Sequence, residues 1–106
     1  MKVQHVPYNG LDINTVMAAA RAALTACRWK FSEYQWRLVA SVPFNLLSYG
    51  EEVEIRFYQD SFDISSKCIF PLQIIDWGKN QSNIRKFLTA YQNCLQQNFG
   101  GGMQPY

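Results

Sequence analysis

The stretch "EEVEIRFYQDSFDISSKCI", Glu51 to Ile69, decides the fold. Val53, Ile55 and Phe57 fall on one side of its first half, and Glu52, Glu54, Arg56 and Tyr58 fall on the other. Successive side chains of a strand point to opposite faces, so this alternation predicts a strand with one dry face and one wet face. Asp60-Ser61 interrupts the pattern as a turn. Phe62, Ile64, Ser66 and Cys68 then resume on the inner side. Two such runs around a short turn predict an antiparallel hairpin, and an antiparallel sheet tolerates one solvated face.

Upstream, "RWKFSEYQWRLVASV" predicts two more strands around a turn near Glu33-Tyr34-Gln35. Counting by twos places Trp29 and Phe31 on one face of the first. The same count places Trp36, Leu38, Ala40 and Val42 on one face of the second, so Trp29, Phe31, Trp36, Phe57 and Phe62 are all expected inside. Pro43 lacks an N–H donor and ends that strand, leaving the loop "PFNLLSYG" to Gly50. At the start, "KVQHVPY" reads as a short edge strand closed by Pro7 and an Asn9-Gly10 turn.

Two helices complete the pattern. The first is predicted over Ile13 to Cys27, capped by Asp12 or Asn14. Ile13, Val16, Ala20, Ala23, Leu24 and Cys27 form its apolar stripe, and the small alanines predict a close approach to the sheet. The second is predicted over Asn80 to Gln97, with Ile84, Phe87, Leu88, Tyr91, Cys94 and Leu95 as its stripe. The order is (β)-α-β-β-β-β-α. It predicts a two-layer α+β fold, with a four- to five-stranded antiparallel sheet and both helices on one face. Residues 1–98 read as one domain and 99–106 as a flexible glycine-rich tail.

Composition limits the function classes. The 106 residues are 48% hydrophobic and 15% aromatic, which is the balance of a globular domain rather than a disordered one. Ten basic against eight acidic side chains leave a formal charge of +2 with no run of one sign. That gives no electrostatic case for a nucleic-acid partner. The longest apolar helical stretch, "VMAAARAALTAC", is too short to span a bilayer, and the first residues lack the apolar core of a signal peptide. Cytoplasmic location is the expectation, with Cys27, Cys68 and Cys94 as reduced thiols.

The pattern "SYGEEVEIRF", "FDISSKC" and "IIDWGKNQSNIRKF" resembles one found in a family of small bacterial α+β domains of unknown function. The resemblance spans roughly Trp29 to Phe87. It is carried by Ser48, Tyr49, Gly50, Glu51, Ser66, Asp76, Trp77, Gly78, Lys79, Asn80 and Ile84, with Tyr49 standing where tryptophan is expected. It implies a fold similar to the TATA-binding-protein-like class and implies no activity. From the residues themselves, Asp76, Trp77, Gly78 and Asn80 read as a structural corner opening the last helix. A capping acid, an apolar anchor, a permissive glycine and an alternative cap follow one another in the order such a corner needs.

No catalytic set can be assembled. His5 is the sole histidine and nothing in the sequence puts it beside a nucleophile. One histidine and three scattered cysteines make a poor zinc site, and Glu51, Glu52 and Glu54 lie in no calcium loop. No metal or cofactor is expected. The solvated face carries Tyr34, Arg37, Arg56, Tyr58 and Lys67, the candidate interaction face, with acids interleaved. A single-strand nucleic-acid platform needs stacked aromatics in a net positive groove, which this mixture does not supply. The leading expectation is a non-enzymatic interaction module with a protein partner or self-association. Second is a small apolar-ligand carrier with a pocket between helices and sheet or under the loop Pro43 to Gly50. An enzyme comes last.

Overall fold

The computed structural model describes residues 2–42, 50–68 and 79–97. The elements are β1 (Lys2–Pro7), α1 (Ile13–Ala26), β2 (Lys30–Tyr34), β3 (Arg37–Val42), β4 (Glu51–Phe57), β5 (Ser61–Cys68) and α2 (Lys79–Leu95). The sheet has five antiparallel strands in the order β1-β5-β4-β3-β2, so β1 and β2 are its edges. This is the α+β class and the element order expected from the sequence, with β1 present as the fifth strand. Asp76, Trp77 and Gly78 of the expected corner, the loop 43–49 and the 99–106 tail lie outside the described residues. Among the described residues no helix is long and apolar enough to cross a membrane.

Local chemistry places the elements. Asp12 caps α1, its carboxylate accepting the amides of Asn14 at 3.0 Å and Thr15 at 3.2 Å. At the other end Arg28 adopts φ 64, the position glycine usually fills after a helix. Its N–H donates to the Thr25 carbonyl at 2.9 Å, and the Trp29 N–H donates to the Leu24 carbonyl at 3.2 Å. That double closure drops Trp29 into the core directly after the helix. The Asn9-Gly10 turn forms as expected, both residues at positive φ, with the Leu11 N–H donating to the Tyr8 carbonyl at 3.2 Å.

The core lies between the inner sheet face and the two helices. Leu38, Ala40, Val53, Ile55, Phe62 and Ile64 from the sheet meet Val16, Ala20, Ala23, Leu24, Phe87 and Tyr91 from the helices. Phe62 stands at its centre, its ring edge-on to Tyr91 at 5.3 Å and to Phe87 at 6.1 Å between centroids. Burial pushes the Tyr91 phenol up to about 12, so it stays protonated at any physiological pH.

Two details differ from the sequence reading. The β2–β3 turn is Gln35-Trp36 rather than Glu33-Tyr34-Gln35, so Trp36 sits in the turn and leaves the core. Counting by twos back from Leu38 placed it inside, but alternation has no meaning past the end of a strand. Helix α1 also makes its main close contact with α2 rather than with the sheet. Ala20 and Ala23 of its stripe are nonetheless fully buried. Ala23→Leu is expected to cost about 1–3 kcal/mol by overpacking, read as a lowered denaturant midpoint; an unchanged midpoint would show room beside Ala23 that the packing denies.

Candidate functional site

Three large aromatics stand half-exposed at one end of the outer sheet face: Tyr34 at 51%, Trp36 at 49% and Tyr58 at 47%. They close β2, occupy the β2–β3 turn and follow β4 respectively, three places the register brings together. With Gln35, Arg37, Arg56 and Phe57 they line a hollow of about 360 Å³.

The scaffold holds this corner tightly. Trp36 adopts φ 62, a left-handed conformation unusual for a bulky side chain. The Phe57 N–H donates to the Trp36 carbonyl at 2.9 Å, tying the turn to the end of β4. Tyr58 is fixed through both backbone groups. Its N–H donates to the Ser61 carbonyl at 2.8 Å, and its own carbonyl accepts the buried Tyr8 hydroxyl at 2.7 Å.

Between the aromatics runs a short charged row. Arg37 and Arg56 are direct cross-strand partners, and like charges placed so repel. Glu54 relieves this, accepting from Arg56 Nε at 2.8 Å and lying 3.5 Å from Arg37 Nη1. Its hydrogen bond raises the Arg56 guanidinium above its ordinary value. The Arg37 guanidinium also lies 4.7 Å from the centre of the Tyr34 ring, within cation–π range. Two guanidiniums and three rings thus share one corner of the sheet.

The expected face is therefore brought together in part. Tyr34, Arg37, Arg56 and Tyr58 form the corner, and Trp36, which the sequence placed in the core, joins them. Lys67 does not. It sits opposite Glu52, 3.7 Å from that carboxylate, four residues along β5 from the Arg56–Asp63 pair, which is about 13 Å of strand.

On the inner face a second polar group is fully enclosed. Glu51, Ser66, Asn80 and Asn83 are all buried. Ser66 Oγ donates to Asn80 Oδ1 at 2.8 Å. Asn83 Nδ2 donates to Ser66 Oγ and to Glu51 Oε1, each at 3.2 Å. Asn80, expected at the corner as a cap, is thus part of a side-chain network joining α2 to β4 and β5. Three of its four members, Glu51, Ser66 and Asn80, come from the pattern that carries the family resemblance. Asn83 does not, though it lies in phase with the apolar stripe of α2, four residues before Phe87.

His5 Nδ1 lies 2.8 Å from Asp63 Oδ1 on the outer face, an exposed cross-strand pair with no nucleophile in it. Burial raises the Cys27 thiol above its usual value, which disfavours the thiolate. Among the described residues no group of three or more His, Cys, Asp or Glu could hold a metal ion. No protein-family model matches the sequence, and no curated protein matches it.

Proposed function

We propose that this domain is a non-enzymatic protein-interaction module that works through the corner formed by Tyr34, Trp36, Arg37, Arg56 and Tyr58. The observation that carries the reading is Trp36. A half-exposed tryptophan held in a left-handed turn is costly to maintain, and strain of this kind collects at working sites. Its neighbours support the same reading, since tryptophan, tyrosine and arginine are the residues most enriched at binding hot spots. The backbone of the corner and both guanidiniums already have partners within the domain, which lowers the ordering cost of association.

The partner is another protein or a second copy of the chain. Nucleic acid fits less well, because Glu54 sits between the two arginines and Glu52, Asp63 and Lys67 continue the alternation of sign along the face. We also read the chain as related to the small bacterial domains it resembles, with their TATA-binding-protein-like arrangement. The element order and the convergence of Glu51, Ser66 and Asn80 support this.

Trp36→Gly separates the two roles a tryptophan can have here. Glycine takes positive φ without strain but loosens the unfolded chain, so the two effects oppose each other. The unfolding free energy is expected to stay within about 1 kcal/mol of the parent. Association is expected to fall at least about thirtyfold, the loss of about 2 kcal/mol that defines a hot spot. Proteins captured by the parent and by Trp36→Gly are compared, with self-association of each followed by sedimentation. Partners and oligomer retained equally by both forms would overturn the reading.

A further inference from the structure

At the far edge of the sheet a cleft of about 380 Å³ opens between β1 and α2. Its origin is legible in the strand. The inner face of β1 reads Lys2, Gln4, Val6, as the register opposite Ser66, Ile64 and Phe62 requires. Val6 packs against the core. The other two inner-face residues, Lys2 and Gln4, are polar and exposed, so at that end the inner face of the strand offers α2 no apolar side chain. The helix faces the gap with Gln81, Ile84, Arg85, Leu88 and Gln92, one stripe at helical spacing.

The lining has a definite chemistry. Ile84 is buried and Leu88 half-buried, which makes an apolar floor. Lys2 and Arg85 are cations, and among the described residues no acid lines the cleft. Among the described residues neither cation has a carboxylate partner. Nothing on α2 itself offsets them, since Lys79–Leu95 contains no Asp or Glu. This contrasts with the outer sheet face, where Arg37, Arg56 and Lys67 each lie within ion-pair distance of a glutamate. The glutamines and Thr89 add neutral donors and acceptors.

We infer that this cleft is a binding site for a small amphipathic anion, an organic carboxylate with an apolar chain. The carboxylate sits between Lys2 and Arg85, where charge-assisted hydrogen bonds are strongest, and the chain lies along Ile84 and Leu88. A purely apolar ligand would leave both cations unused, and a bare inorganic anion would leave the floor unused. The site is remote from the aromatic corner and independent of the function proposed for it.

Octanoate, octanol, octylammonium and inorganic phosphate are titrated into the isotopically labelled protein, following the side-chain amides of Gln81 and Gln92. Octanoate is expected to bind saturably at one site. Octanol and phosphate are expected to bind roughly tenfold more weakly or worse, about the contribution of one charge-assisted bond, and octylammonium not at all. Arg85 is exposed, so Arg85→Gln leaves the fold intact. It is expected to weaken octanoate roughly tenfold and leave octanol unchanged, whereas Lys67→Gln on the outer face changes neither. Equal affinity for octanoate and octanol, no saturation by octanoate, or equal effects of Arg85→Gln and Lys67→Gln would each overturn the assignment. So would binding to anionic lipid vesicles without binding of soluble octanoate, which would place the recognition on the surface rather than in the cleft.

Discussion

Phe62→Ala is expected to destabilise the domain by about 3–5 kcal/mol, the range for deleting a buried aromatic ring. The side chain is fully buried and neighbours four other rings, with Phe57 at 5.8 Å, Tyr8 at 6.4 Å, and Tyr91 and Phe87 edge-on. It comes from β5 but reaches two residues of α2, so its removal unpacks the sheet from the helix as well as emptying space. A domain of this size is stable by roughly 5–15 kcal/mol, so the loss is a large fraction of the total. Urea unfolding of the variant should show a much lower midpoint with the slope preserved. A cost below about 1 kcal/mol would mean that the core collapses around the gap, contrary to the packing described.

Ser66→Ala is expected to be the more telling variant although it removes a single oxygen. That oxygen donates to Asn80 and accepts from Asn83, both buried. Leaving buried polar groups short of a partner costs about 1–3 kcal/mol each, so a total of about 2–4 kcal/mol is expected. Ser65 is the natural control. It is next in sequence and on the opposite face, and Ser65→Ala should change stability by no more than about 0.5 kcal/mol. Chemical denaturation of the two variants side by side is the measurement; equal midpoints would show that the network contributes nothing net.

The sequence made the sheet legible because its alternation is clean. Val53, Ile55, Phe57, Phe62 and Ile64 are all buried where a period of two puts them. The same period also places Glu51 inward, and that carboxylate is indeed fully buried. Parity, not polarity, decided its direction. Asn83 could be found in the same way, by asking which polar residues fall in phase with an apolar stripe. Trp36 could not. Whether the turn takes residues 33–35 or 35–36 depends on pairing between strands, and the local composition fits both. One shift of the turn moved the largest side chain of the hairpin from core to surface. That shift separates a structural tryptophan from the centre of the proposed contact surface.

The placement of β1 also orders events in time. Strands β2, β3 and β4 each pair with the next strand along the chain, whereas β1 finds its partner only after most of the sequence exists. His5 and Asp63, adjacent in the sheet, are 58 residues apart. Closing so long a loop is slow and repays little until the receiving edge has formed. Strand β1 is therefore expected to dock late, onto a finished β5, and it is hydrogen-bonded to a strand along one side only. Elements secured in this way are the first to detach in local opening. The wall of the cleft that carries Lys2 and Gln4 is thus its most transient part, and a molecule bound there would lengthen the residence of the strand itself.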